Sequence, residues 1–268
     1  MNAVVFDLDD TLLHDDLTIS EYTVRIFQAL ASRGFHIIAA SGRSQYSMRP
    51  YIDQLGCVSV YISCNGAEIW DGLSHRLIHQ ELFSAELSRE IARFAEQHDC
   101  YAHVYEGSCF YFSRYGPWAN HYASATRLTG IFVGNLSEYI KEPRNKILLI
   151  NREDRIAEMY AEASIQFRDR ASVTCSKPIY LEFNPLYAAK GIALQTVCSM
   201  IGIKPEDTVA FGDSLNDLSM LRAAGIGVSV SNGWKEIRPY CDDFCLSNNE
   251  DGPARYMYEH FLNGEVII

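Results

Sequence analysis

Two short acidic motifs, one near each end of the chain, constrain this sequence more than any other feature in it. Near the start stands Phe6-Asp7-Leu8-Asp9-Asp10-Thr11-Leu12, and near the end Gly212-Asp213-Ser214-Leu215-Asn216-Asp217. Each follows a short apolar run, Ala3-Val4-Val5-Phe6 and Thr208-Val209-Ala210-Phe211, that reads as a buried strand. In a parallel sheet both clusters would lie in the crevice beyond the carboxyl ends of the strands, where open α/β folds place ligands. Carboxylates gathered there repel one another unless a cation lies among them, and oxygen donors of this kind suit Mg²⁺.

The order of elements supports such a sheet. Ser20 to Arg33 reads as a helix with Ser20 as its N-cap and Gly34 as its stop. A second strand, His36 to Ala40, ends in Ser41-Gly42-Arg43-Ser44; after another helix a third, Val60 to Ser63, ends in Cys64-Asn65-Gly66-Ala67. Strands alternating with helices predict a parallel, doubly wound sheet. The middle third has another texture. Ala85 to Gln97 looks helical, but Tyr101 to Phe112 alternates aromatic residues around a Glu-Gly-Ser turn, a hairpin signature. Strands over Lys146 to Asn151 and within Ser172 to Phe183 enclose a helix over Asp154 to Ser164, which predicts a separate α/β insert. From Lys190 the doubly wound pattern resumes. Helices over Gly191 to Gly202, Asp217 to Ala224 and Gly252 to Leu262 are interleaved with strands at Thr208 to Phe211, Ile226 to Val230 and Asp243 to Leu246.

Charge separates the two parts. The net charge of −11 argues against nucleic acid as a partner. Between Glu81 and Tyr187, 12 Lys and Arg face 14 Asp and Glu, a balance of −2; elsewhere 11 face 20, a balance of −9. The acidic share thus goes with the segments bearing the carboxylate motifs. No apolar run approaches a membrane span, and the early charge at Asp7 speaks against a signal peptide, so a cytoplasmic protein is expected. The 8 cysteines are scattered and are expected to stay reduced. His75-x-x-x-His79 and Cys241-x-x-x-Cys245 lack a matching second pair and are read as structural rather than as zinc sites.

Asp7-Leu8-Asp9-Asp10-Thr11-Leu12 resembles the first motif of the haloacid dehalogenase superfamily, and Gly212 to Leu221 resembles the fourth motif of its Cof-type sugar-phosphatase branch. The resemblance covers the whole chain in motif order, with no diagnostic motif in the insert. It implies that Asp7 is a nucleophile forming an aspartyl-phosphate and that Asp9 is the general acid and base, its main-chain carbonyl on the metal. It further implies that Asp7, Asp9 and Asp213 ligate Mg²⁺, with Asp217 behind them and Asn216 near phosphate or water. Ser41 matches the second motif, a hydroxyl that with the amides of Gly42 and Arg43 would hold phosphate oxygens. Lys190 matches the third, a cation offsetting Asp7 and phosphate. Asn65 stands where this branch faces its insert, either touching substrate or making a turn.

Two departures stand out. Asp10 occupies a position where many relatives have glycine, and Val228 to Trp234 replaces a small Gly-Asn-Ala stretch common in the branch. The expected architecture is a Rossmann-like parallel-sheet core of the haloacid dehalogenase type, residues 1–81 and 187–268, with an inserted α/β cap of the IIB type, residues 82–186. The expected activity is Mg²⁺-dependent hydrolysis of a small phosphorylated metabolite, with no nucleic acid or membrane partner; nothing in the sequence sets an oligomeric state. A phosphomutase of the same superfamily and a non-catalytic phospholigand-binding protein are the alternatives. Core motifs touch only phosphate and metal, so substrate choice is expected in the cap, first among Tyr101, His103, Tyr105, Tyr111, Trp118, His121 and Tyr122.

Overall fold

Apolar runs of four or five residues, each followed by a capped amphipathic segment, organise the start of the chain into alternating strands and helices. The computed structural model describes residues 1–262. Its first elements are β1 (Ala3–Phe6), α1 (Glu21–Ser32), β2 (His36–Ala40), α2 (Gln45–Leu55) and β3 (Val60–Ser63), then β4 (Glu68–Asp71) and β5 (Leu77–Gln80). Ser20 caps α1 as expected, its hydroxyl accepting the Thr23 amide at 3.0 Å. A second group follows: α3 (Ala85–Gln97), β6 (Tyr101–Glu106), β7 (Cys109–Phe112), α4 (Pro117–Thr126), β8 (Thr129–Phe132) and α5 (Leu136–Tyr139). It continues through β9 (Ile147–Ile150), α6 (Glu153–Gln166), β10 (Ala171–Thr174) and β11 (Tyr180–Pro185). The chain then returns with α7 (Lys190–Ile201), β12 (Thr208–Gly212), α8 (Leu218–Ala223), β13 (Ile226–Val230), β14 (Asp243–Cys245) and α9 (Gly252–Met257).

The first and last groups build one sheet in the order β14-β13-β12-β1-β2-β3-β4-β5. The strands from β14 to β3 run parallel, as expected. Both faces are covered, which is why these strands are apolar throughout. Val4 and Phe6 pack with Phe27 and Leu30 of α1 on one side; Ala3 and Val5 pack with Leu194 and Val197 of α7 on the other. At one edge β4 and β5 join antiparallel, an extension the sequence reading omitted. Leu77, Ile78 and Gln80 of β5 are exposed, so this edge strand carries no apolar periodicity to detect.

The middle group forms its own sheet, β10-β11-β9-β6-β7-β8, antiparallel except between β7 and β8. The hairpin of β6 and β7 is present in the expected place. Helices α3 and α6 cover one face through Ile91, Phe94, Ile156 and Met159; α4 lies against the other, on Tyr101, Tyr105 and Phe110. Helix α4 and strand β8 were not foreseen. Pro117 suits a helix start, but the aromatic residues around it favour strand on propensity, and packing of Ala119 and Tyr122 decides the matter. The chain passes from the first sheet to the second between Gln80 and Ala85 and returns between Pro185 and Lys190. No described helix is long and apolar enough to cross a membrane.

Candidate active site

Strand register brings the two acidic motifs together. β1 is central, paired with β12 as Phe6↔Phe211 and with β2 as Phe6↔Ala39. The residues next in each strand, Asp7, Gly212-Asp213 and Ala40-Ser41, therefore emerge side by side at the carboxyl edge. The Asp7 amide extends the ladder, donating to the Phe211 carbonyl at 3.0 Å.

Asp7 is 4% exposed, and its Oδ1 accepts a hydrogen bond from Lys190 Nζ at 2.8 Å. Burial raises the Asp7 carboxyl to about 7, an effect opposed by Lys190 and reinforced by Asp217 and Asp9. Lys190 is fully enclosed and also donates to Asp217 Oδ1 at 2.6 Å. Burial works against its charge, but the Asp217 and Asp7 carboxylates more than compensate and hold the ammonium above its ordinary range. Asp217 is itself fixed from behind, its Oδ2 accepting the amides of Asp213 at 3.0 Å and Ser214 at 3.1 Å. That loop can fold so tightly only because residue 212 is glycine: a Cβ there would stand 2.6 Å from the Asp217 Cβ.

Asp213 accepts from the Thr11 hydroxyl at 3.0 Å. Its carboxyl is pushed well above the usual range by burial, then by Asp217 and Asp7. Carboxylate oxygens of Asp7, Asp213 and Asp217 lie within 4.8 Å of one another. This set includes Asp217 in place of Asp9, whose expected metal contact was through the main chain. The Asp9 side chain is turned to Arg43, which grips both its oxygens at 2.7 Å. Burial would raise the Asp9 carboxyl, but the guanidinium prevails and holds it below the usual carboxylate range. Asp10 has φ 56°, a left-handed conformation that explains why glycine suits this position, and its carboxylate pairs with Lys177 at 3.4 Å.

The remaining expected residues surround this centre. Ser41 Oγ accepts the Arg43 amide at 3.2 Å, and Gly42 adjoins it in the same loop. Asn216 donates to Asn65 Oδ1 at 3.0 Å, and Asn65 in turn donates to Glu182 of β11 at 2.6 Å. The second sheet roofs the loops and leaves a cleft of about 60 Å³. Its roof carries Lys146, Leu148, Ser176, Lys177, Tyr180 and Glu182, while Asp7, Asp9, Ser41, Gly42, Asp213 and Asn216 form its floor.

The aromatic set expected to face substrate does not do so as a group. Tyr101, His103 and Tyr105 are buried within the second sheet's own packing, where His103 meets the Tyr105 hydroxyl at 3.1 Å. Burial accordingly lowers the imidazole well below its ordinary range. Of the seven, Tyr122 lines the cleft, joined there by Tyr180, which the sequence reading did not single out. Lys146 and Glu182 were also missed. Each sits in a strand-like run with nothing local to distinguish it from a surface charge. His75 contacts Asp53 and the Tyr61 hydroxyl, His79 contacts Glu81, and Cys241 and Cys245 are free thiols, consistent with structural roles.

Comparison with known proteins identifies the fold and the family. The family model of the haloacid dehalogenase-like hydrolases matches residues 4–257. A 5-amino-6-(5-phospho-D-ribitylamino)uracil phosphatase of Bacillus subtilis is 28% identical, the match covering 96% of this chain and 97% of that protein. An HMP-PP phosphatase of Serratia proteamaculans is 26% identical over 98% of this chain and 96% of its own. Among solved structures, a haloacid dehalogenase-like hydrolase from Bacteroides thetaiotaomicron has a TM-score of 0.86 at 25% identity, covering 97% of this chain and 99% of that one. A Thermotoga maritima protein has a TM-score of 0.80 at 30% identity, covering 96% and 97%. The parallel sheet is therefore the core and the antiparallel sheet the cap of a known architecture, and the chain belongs to the haloacid dehalogenase-like hydrolases, as one of their phosphatases.

Proposed function

We propose that the protein hydrolyses a small phosphate monoester with Mg²⁺, through an aspartyl-phosphate on Asp7. The observation that carries this reading is the enclosed contact of Asp7 with Lys190, beside Asp213 and at the floor of a cleft roofed by the cap, which we set at residues 82–186. A binding protein has no need of a carboxylate held against a buried cation where an in-line attack would start.

The donor set fits a hard divalent ion. It consists of oxygens only, and the charge that burial makes costly on Asp7 and Asp213 is the charge a cation would stabilise. Asp217 spends both oxygens on Lys190 and two amides, so Asp7, Asp213 and the Asp9 main-chain carbonyl would hold the ion with Asp217 behind them. When bound, Mg²⁺ would offset the negative charge of the phosphate oxygens.

Ser41 and the loop amides would hold the phosphate while Lys190 offsets charge on the equatorial oxygens, with Asn216 close by. An Asp7 oxygen forms a bond to phosphorus, the bond to the leaving oxygen breaks, and Asp9 gives that oxygen a proton. Water then attacks the same phosphorus, the bond to Asp7 breaks, and Asp9 takes the proton back. In the grip of Arg43, Asp9 is an ionised base suited to the second step; for the first it must be released from the guanidinium.

The Bacillus subtilis relative is named for a phosphorylated uracil compound, which bears a ring, and Tyr122 and Tyr180 line this cleft. A space of about 60 Å³ holds a few waters, so a sugar-sized leaving group enters once the cap lifts. The unpaired cysteines suit a reducing cytosol. A panel of phosphorylated metabolites assayed with Mg²⁺ for free phosphate tests the reading. Release of phosphate supports it; return of the phosphoryl group to sugar would make the protein a mutase, and no turnover would refute catalysis.

A further inference from the structure

Lys146, immediately before β9 in the cap, is a buried cation with no part in the chemistry described so far. Its side chain is 2% exposed, and its ammonium donates to Glu182 Oε1 at 2.7 Å and to the main-chain carbonyl of Gly42 at 2.8 Å. Taking an ammonium out of water costs several kcal/mol, so its two contacts have to repay a large penalty. Glu182 is equally enclosed and also takes the Asn65 amide at 2.6 Å and the Ser176 hydroxyl at 2.9 Å. The approach to Gly42 is close by design of the loop. A Cβ on residue 42 would stand 3.3 Å from the Lys146 nitrogen and 3.0 Å from Asn65 Oδ1.

The Gly42–Arg43 peptide is planar, so fixing its carbonyl fixes its N–H on the opposite edge. That N–H donates to Ser41 Oγ at 3.2 Å. A serine oxygen that accepts an amide hydrogen keeps its own proton for donation. A continuous relay thus runs from a cap lysine, through one peptide, to the hydroxyl that faces the phosphate position.

We propose that Lys146 is a positioning residue: through the Gly42–Arg43 peptide it orients the Ser41 hydroxyl, and so couples docking of the cap to the affinity of the core for phosphate. Lys146 belongs to the cap and Ser41 to the core, so the relay is complete only when the two are together. The inference rests on the cleft being a phosphate site.

A double-mutant cycle on the Mg²⁺-loaded enzyme tests it, with p-nitrophenyl phosphate as substrate and inorganic phosphate as competing ligand. Ser41→Ala and Lys146→Met should each raise the inhibition constant for phosphate about tenfold, the scale of one hydrogen bond to a charged group. The combined variant should lose no more than Ser41→Ala alone, because both changes act on one hydroxyl. KM should rise more than kcat falls. A purely structural lysine would lower the melting temperature and leave the cycle additive; additivity, or unchanged phosphate affinity in Lys146→Met, overturns the proposal. Should Lys146→Met fail to fold with Glu182 left unpaired, Lys146→Met with Glu182→Gln removes both charges together and enters the cycle in its place. A wild-type enzyme that neither cleaves the substrate nor binds phosphate refutes the phosphatase reading itself, whereas an active enzyme with an additive cycle refutes the relay alone.

Discussion

Asp7 lies between opposing influences: burial and the neighbouring carboxylates raise it, while Lys190 at 2.8 Å draws it down. As the proposed nucleophile, Asp7 is costly to ionise in the metal-free protein, and a bound cation would favour its ionised form. Asp7→Asn keeps the shape and removes the attacking oxygen. Turnover should fall on the order of 10⁴-fold with the fold unchanged by circular dichroism, and a variant retaining a tenth of wild-type activity would end the aspartyl-phosphate reading. Lys190→Ala should cost roughly 10² to 10³-fold, the scale of one preorganised donor to a charged transition state. Joined with Asp7→Asn it should cost little more, since both act on one phosphate; independent losses would show that Lys190 serves elsewhere.

The loop after β12 shows how an element delivers such residues. Its tight fold depends on Gly212, and through the Asp213 and Ser214 amides it fixes the carboxylate that Lys190 needs. Gly212→Ala would push a methyl into Asp217. Overpacking of this kind costs about 1–3 kcal/mol. A lowered melting temperature should therefore be accompanied by loss of turnover in the protein that remains folded. A variant as stable and active as wild type would mean that the loop has slack. In the cap, the elements delivering residues to the cleft are α4 with Tyr122, β9 with Leu148 and β11 with Tyr180 and Glu182. Tyr180→Ala should change the ranking of kcat/KM among ring-bearing and linear phosphate esters by about tenfold, or 1.4 kcal/mol. Equal slowing of every ester would place specificity elsewhere.

Across the molecule, the core (residues 1–81 and 187–268) carries a charge of −10 and the cap (residues 82–186) −1, and the core carboxylates of Asp7, Asp213 and Asp217 cluster within 4.8 Å of one another. Burial of the Asp7 and Asp213 carboxyls makes stability depend on pH. In the metal-free protein the folded Asp7 holds its proton up to about 7, whereas an unfolded aspartate loses it near 3.8. The native state thus binds more protons between those values, and this group's contribution to stability falls as pH rises through that window. Mg²⁺ held by Asp7, as proposed, would bind the ionised form, so it should raise the melting temperature more at pH 8 than at pH 5. Asp7→Asn should reduce that difference, leaving the share carried by Asp213. An equal Mg²⁺ effect at both pH values would exclude Asp7 as a ligand that must first ionise.

Local sequence was sufficient for the apolar runs of β1, β2, β3 and β12, for the Ser20 cap, and for the carboxylates that follow the strands. Each of these is dictated by neighbours a few residues away or by a chemistry that tolerates few residue types. Asp7, Asp9, Ser41, Lys190 and Asp213 are named through the resemblance of their motifs to the haloacid dehalogenase family. Local sequence was insufficient for the partners that reach them from afar. Whether Asp9 meets metal or Arg43, whether Tyr122 or His103 faces the cleft, and whether Lys146 is a surface charge or a buried link to Gly42 all depend on how two sheets dock. The edge strands β4 and β5 and the helix α4 were hidden for the same reason. Their residues gain their conformation from packing against distant segments, and no short-range pattern carries that information.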